Sequence, residues 1–313
     1  MRLQKIKIGN LETPNNVFLA PLAGYSNAVF CKMCYDLGAG LTFTEMVSAK
    51  GLCYDSQKTE ELLYVTDDYD GIKACQLFGN DPEYMRRACE CEALAPFDIV
   101  DINMGCPVPK IYKNGEGCAL LKDLKLASKI ITECKKSGKT ITAKIRIGVD
   151  DREYVTAKFA RMCEDSGADM ITVHGRTKDK IYSGEVNYRE IALAKSAVHI
   201  PVIANGGILT PTDADRIMVK TGADGVMIAR GAIFNPWLFS TLTGKPIADK
   251  KTAVLKQIAD TRDIMGERFA LVFMRKLVGF YIKGIRGANS LRIKLMNCRT
   301  TDELSETVGK LDF

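Results

Sequence analysis

Three short stretches carry side chains able to do chemistry. DINMGCP, residues 101–107, sets the thiol of Cys106 three residues behind the amide of Asn103. AKIRIG, residues 143–148, places Lys144 inside a strand-like run, and VHGRT, residues 173–177, carries Arg176 beside His174, one of only two histidines in the chain. A thiol can donate a proton, attack an electrophile or simply fill a core. Two glycine-rich turns, NGGI at 205–208 and IARG at 228–231, have the composition of loops that hold a phosphate through backbone amides, with the charge of Arg230 added.

Something must bring these distant groups together. Proline lacks the amide donor and glycine favours unusual backbone angles, so a strand cannot run on through Gly105-Cys106-Pro107, and Cys106 is expected at a strand's C-terminal end. Seven further apolar runs recur: VFLA at 17, LTFTEM at 41, IKACQLF at 72, ITAKIRI at 141, MITVHG at 170, PVIANGG at 201 and DGVMIARG at 224; with DIVDIN at 98 they make eight. Segments of helical period separate most of them, at 81–94, 123–138, 151–167 and 211–222, often begun by Asp and closed by Gly. Residues 47–71 and 107–122 read as loops over one face. Strand and helix alternating in this way predict an α/β fold, a (β/α)8 TIM barrel with a small C-terminal helical domain, divided as residues 1–243 and 244–313. A doubly wound open sheet is the alternative, but no GxGxxG follows the first run.

In a barrel, the chemistry sits where the strands end. Those ends read Pro21-Leu22-Ala23-Gly24, Glu45, Gln76, Asn103 with Cys106, Lys144, His174 with Arg176, Asn205-Gly206-Gly207 and Ala229-Arg230-Gly231. The last two follow strands 7 and 8, where such barrels often bind phosphate.

Composition limits the class of protein. Of 313 residues 46% are hydrophobic, normal for a globular protein, and no apolar run is long enough to span a membrane. The N-terminus MRLQKIKIG lacks the apolar core of a signal peptide, so a cytoplasmic protein is expected, with its eleven cysteines as thiols. The net charge of +6 lies wholly in the tail: residues 245–313 hold 14 basic and 8 acidic side chains. Between 268 and 299 stand Arg268, Arg275, Lys276, Lys283, Arg286, Arg292, Lys294 and Arg299 with no acid, interleaved with Phe269, Phe273, Phe280 and Tyr281. This is the pattern of a surface that faces phosphates, or of lysines and arginines snorkelling over a core stripe. CKMC at 31–34 has CxxC spacing but no second pair, and is expected in the core rather than on a metal. His199 is expected to be structural, at a strand's beginning.

The pieces APLAG (20–24), QLFG (76–79), DINMGCP, NGEGCALL (114–121), AKIRIG, VHGRT, YSG (182–184), NGGI, and the tail with RK at 275 and YIKG at 281 resemble the tRNA-dihydrouridine synthases, most of all their bacterial branch. These are flavoenzymes that reduce uridine in tRNA. The resemblance implies FMN, its phosphate held by Asn205, Gly206, Gly207, Ala229 and Arg230, and its ring contacted by Pro21, Leu22, Ala23, Gln76, Lys144 and His174. It implies Cys106 as the acid that protonates C5 of uracil while hydride reaches C6, a task for which an ordinary thiol, with a pKa of about 8.5, is already protonated at neutral pH. Asn103 and Arg176 become contacts to the target nucleotide, the basic tail the grip on tRNA, and NADPH or NADH the reductant; no membrane, metal or obligatory protein partner is implied. The chain departs from the family in having Gly207 where Asp is frequent, Ala229 where Gly is frequent, and Leu277 where RKH has histidine, which puts RNA contacts near 277 in doubt. Ribosomal RNA as target, another FMN barrel reductase of a small substrate, and a non-catalytic RNA-binding protein remain as rival readings.

Overall fold

The computed structural model describes residues 1–54, 56–247 and 249–311. Residue 55 of the expected loop 47–71, and residues 248, 312 and 313 of the expected tail, lie outside the described residues. An antiparallel hairpin, β1 (Ile6–Ile8) and β2 (Leu11–Thr13), comes first. Eight parallel strands follow: β3 (Val17–Leu19), β4 (Thr42–Ser48), β5 (Lys73–Phe78), β6 (Ile99–Met104), β7 (Thr140–Arg146), β8 (Met170–His174), β9 (Val202–Asn205) and β10 (Gly225–Ile228). They pair in the order β3-β10-β9-β8-β7-β6-β5-β4. The sheet's two ends meet where Phe18 bridges Leu41, with the Leu19 amide donating to the Leu41 carbonyl at 2.9 Å. The eight apolar runs are therefore the eight strands of a barrel, not of a doubly wound sheet.

Both faces of these strands are covered, so β6 and β8 are buried at every position. Alternate residues point inward. Near the strand beginnings the interior is apolar: Phe18, Phe43, Ala74, Ile99, Met170, Ile203 and Met227 form one cluster, stoppered by Ile6 and Ile8 of the hairpin. Two to four residues further along the same inward rows it turns polar, with Gln76, Asp101, Asn103, Thr142, Thr172, His174 and Asn205 all buried. That change of character sets the functional end.

Helices surround the sheet where the period indicated. Asp81 caps Pro82–Glu90, Asp123 caps Leu124–Lys135, and Pro211–Thr221 opens with a Thr210–Asp213 capping box and ends at Gly222 with φ 64°. The helix expected from 151 begins only at Thr156, because residues 150–155 fold back, with the Val155 amide donating to the Ile147 carbonyl. The expected loops carry short helices, Ala49–Leu52, Gln57–Glu60 and Pro109–Lys113.

Four helices, Lys250–Met265, Glu267–Tyr281, Ala288–Asn297 and Thr301–Gly309, make up the tail. Their apolar faces join the outer core of the barrel: Tyr281 meets Trp237 edge-on at 5.2 Å and Phe280 meets Phe234 at 5.1 Å. Leu277 is fully buried there, worth about 1.5–3 kcal/mol of hydrophobic stabilisation. The interleaved aromatics are thus mostly core, with Phe273 and Tyr281 buried and Phe269 exposed. Cys31 and Cys34 also lie in the core, all eleven cysteines are free, and His199 is exposed in the turn before β9. No helix among the described residues is long and apolar enough to cross a membrane.

Candidate active site

Strand pairing gathers the rim. Asn103 is in register with Lys144, Arg146 with His174, and His174 with Asn205, so side chains far apart in sequence stand on neighbouring strands facing one hollow. Lys144 Nζ donates to Asn205 Oδ1 at 3.3 Å, and Asn205 is held by its amide donating to the Met227 carbonyl at 2.7 Å. Gly206 has φ +121°, and a Cβ there would press within 2.9 Å of the His174 ring; Gly207 has φ +70°, a conformation that Asp tolerates better than most residues, so the departure at 207 is mild.

Cys106 sits in the turn directly after β6. Its amide and that of Gly105 donate to Asn103 Oδ1 at 2.8 and 3.1 Å. Gly117, with φ +60°, lies so close that an added Cβ would meet the Cys106 Cβ and carbonyl at 2.9 Å, and the Cys118 amide donates to that carbonyl at 3.1 Å. Removal from water pushes the Cys106 thiol up, outweighing the opposing pull of the Val108 amide, Arg146 and Lys144. Cys106 is a neutral thiol at pH 7.

The electrostatics of the mouth are one-sided. Burial, with Arg146 next, pushes Lys144 down to about 8, while Asp101 pulls the other way. Burial, then Arg146, Lys144, Arg176 and Arg230, holds His174 well below its usual value, so its imidazole is neutral. None of these four cations forms an ion pair with a carboxylate among the described residues. Four cations against the one buried carboxylate of Asp101 leave an excess of positive charge that fits an anionic ligand.

Two buried arginines brace the mouth. Arg146, which the sequence reading passed over, donates from Nε to the Gly105 carbonyl at 2.9 Å and from Nη1 to the Thr177 and Ile181 carbonyls at 2.9 and 2.8 Å. Arg176 donates from Nε to the Ser183 carbonyl at 3.1 Å and from Nη2 to the Gly184 carbonyl at 3.0 Å. Together they hold the segment 177–184, in which Ile181 carries φ 52°, a strain of about 1–3 kcal/mol, and Tyr182 lies 4.7 Å beneath the Arg230 guanidinium. Period two would have found Arg146, since it shares the inward face of Lys144.

The remaining expected residues are placed as follows. Pro21 and Leu22 are half-buried and Ala23 exposed in the turn after β3, where the Gly24 amide donates to Glu45 Oε2. Gln76 and Asn103 are largely committed to the protein: Gln76 Nε2 donates to Asp101 Oδ2 at 2.6 Å, and Asn103 Nδ2 to Gln76 Oε1 at 2.7 Å. Arg230 is half-buried at the end of β10. Of the eight tail cations, Arg275 and Arg292 bond the Met296 and Gly279 carbonyls, while Arg268, Lys276, Lys283, Arg286, Lys294 and Arg299 are exposed. Leu277 belongs to the core, so the histidine's absence alters packing, not an exposed contact.

A parallel eight-stranded barrel with a thiol, a lysine and a neutral histidine gathered on its C-terminal rim has the architecture of a (β/α)8-barrel enzyme. A family model described as dihydrouridine synthase (Dus) matches residues 18–311, and the chain belongs to that family. It is 36% identical over 306 residues to the probable tRNA-dihydrouridine synthase of Rickettsia conorii, covering 93% of this chain and 92% of that one. It is 33% identical over 308 residues to tRNA-dihydrouridine synthase B of Pseudomonas aeruginosa, covering 95% and 92%. Among solved structures, a variant of NCR from Zymomonas mobilis superposes with TM-score 0.56 at 17% identity, over 78% of this chain and 92% of that one. A morphinone reductase variant in complex with tetrahydroNAD gives 0.55 at 14%, over 76% and 89%. At such identities these two speak for the barrel fold alone.

Proposed function

We propose that the protein reduces the C5–C6 double bond of uridine in tRNA, with FMN bound at the rim and Cys106 as the proton donor. The observation that carries this reading is the neutral thiol of Cys106, pinned by Asn103 and Gly117 on the same rim as Lys144 and His174. The residues present fit the cofactor: Lys144 and Arg230 supply positive charge for its pyrimidine end and phosphate, and Gly206 and Gly207 keep the turn after β9 clear of side chains. Asn205, Gly206, Gly207, Ala229 and Arg230 would hold the phosphate; Pro21, Leu22, Ala23, Gln76, Lys144 and His174 would surround the ring. When bound, the flavin supplies hydride to C6 of uracil, and NADPH, or NADH, is its proposed reductant.

The chain's own contribution is orientation and a proton. Cys106 holds its proton at neutral pH and delivers it to C5. The Asn103 side-chain amide, whose Nδ2 lies 3.4 Å from Met46 Sδ, and the Arg176 guanidinium are the groups that would meet the nucleotide. Residues 244–313 act as the RNA-binding unit, the six exposed cations between 268 and 299 meeting phosphates, and the enzyme works in the cytoplasm. Cys106→Ala tests the reading: the protein should stay yellow and bind unmodified tRNA, while dihydrouridine formation, followed by mass analysis of the RNA, slows about 10²–10⁴-fold. Full activity would remove Cys106 from the chemistry.

A further inference from the structure

Beneath Cys106 runs a chain of buried polar groups whose deepest member, Asp101, has no part in the reaction as described. Asp101, two residues before Asn103 on the inward row of β6, is completely buried. Its Oδ1 accepts from Thr142 Oγ1 at 2.6 Å and its Oδ2 from Gln76 Nε2 at 2.6 Å. Gln76 Oε1 then accepts from Asn103 Nδ2 at 2.7 Å, and Asn103 Oδ1 accepts from the Cys106 and Gly105 amides at 2.8 and 3.1 Å.

Each link in this chain has a direction. A side-chain amide can turn either of its ends toward a neighbour, but a carboxylate only accepts. Facing Asp101, Gln76 must present its NH₂ and send its oxygen to Asn103; Asn103 must then present its NH₂ and send its oxygen to the Cys106 turn. With Gln76 reversed, its NH₂ would meet the Asn103 NH₂, donor against donor; if Asn103 then turned to accept, its own NH₂ would face the Gly105 and Cys106 N–H groups and both would lose the acceptor they share. Leaving such buried donors unpaired costs about 1–3 kcal/mol each.

We propose that Asp101 is a positioning residue for the reaction, acting through the fixed polarity of Gln76 and Asn103 to hold the Cys106 thiol where it protonates uracil. The proposal rests on the reading of Cys106 as proton donor. Asp101 touches neither substrate nor cofactor; it decides which way two amides face. A buried carboxylate with a single charged neighbour, Lys144, is a poor choice for stability alone, and a directional function explains its presence.

The test is a double-mutant cycle on single-turnover reduction of an unmodified tRNA transcript, with rates normalised to bound flavin. In Asp101→Asn the residue can both donate and accept, so the polarity of the chain is no longer dictated. The expected result is at least a tenfold slower reduction of tRNA, with flavin content and the rate of flavin reduction by NADPH within twofold of wild type. In the Cys106→Ala background the same substitution should change the rate less than twofold, because the group it positions is gone. A merely structural role for Asp101 predicts equal losses in both backgrounds, and that outcome overturns the proposal, as does an unchanged rate in Asp101→Asn. If Asp101→Asn folds poorly, the near-isosteric Thr142→Val, which frees Asp101 Oδ1, should give a smaller loss, about threefold, that also vanishes without the thiol; equal losses there overturn the proposal. Failure of Cys106→Ala to slow the reaction is a different result: it removes the proton-donor reading, whatever Asp101 does.

Discussion

Gly117 offers a quantitative check on how tightly the thiol is held. Its φ of +60° lies in the left-handed region, and an added Cβ would stand 2.9 Å from both the Cβ and the carbonyl oxygen of Cys106. Gly138 has a similar φ of +78° but nothing within 4 Å of the same position, which makes it a matched control. Ala in a left-handed conformation costs about 1–2 kcal/mol at either site, and the reduced freedom of the unfolded chain offsets about 0.4–1 kcal/mol equally in both. Only Gly117→Ala adds overpacking, about 1–3 kcal/mol. Urea unfolding should therefore show Gly117→Ala less stable than Gly138→Ala by about that amount. Restoring ordinary carbon–carbon contact of about 3.5–4 Å moves Cys106 by about 0.5–1 Å, and a misplacement of that size costs about 10²-fold in rate. Turnover on tRNA per bound flavin should fall accordingly in Gly117→Ala and stay at the wild-type level in Gly138→Ala. If the two variants match in stability within 0.5 kcal/mol, roughly the resolution of such additivity comparisons, and both turn over normally, the contact between Gly117 and Cys106 does not restrain the thiol.

Two further outcomes follow from charges. Lys283, Arg286 and Lys294 are exposed on the tail; converting all three to Gln should lower the slope of log affinity for tRNA against log salt by about 2–3, and an unchanged slope would place the RNA elsewhere. Asp101 is pushed up to about 6 from 3.8 by burial, against the opposing bonds from Thr142 and Gln76 and the charge of Lys144. Between about pH 4 and 6 the folded form keeps a proton that the unfolded chain has lost. Its contribution is thus fully present below pH 4 and lost as pH rises through 6, an order of about 3 kcal/mol. The stability difference between wild type and Asp101→Asn should shift in favour of the variant over that window, read from urea midpoints at pH 4.5 and 7; parallel pH profiles would contradict the assignment.

Much of the site was legible in one dimension because strand ends announce themselves. Glycine and proline after Asn103, the lysine inside AKIRIG and the histidine closing MITVH mark where buried strands stop and polar groups begin. Helix starts at Asp81 and Asp123 were readable for a similar reason, since capping is a local interaction. The start at Thr156 was not, because the preceding residues follow a bond to the Ile147 carbonyl rather than their own helical pattern. Nor did the tail's aromatic spacing show that Phe273 and Tyr281 face the barrel, since the same period serves a core stripe and an RNA-facing surface.

The sequence by itself determined the alternation of strands and helices, the residues at the strand ends and the basic excess of the tail, because these depend on local backbone preference and on composition. Only the tertiary structure decided what those residues do to one another. Asp101, Gln76, Asn103 and Cys106 come from two strands and a turn, yet their bonds run in one direction. Arg146 joins the turn after β6 to the segment after β8. Such links depend on strand register and on the inward face each side chain takes, and both are fixed only when the barrel closes.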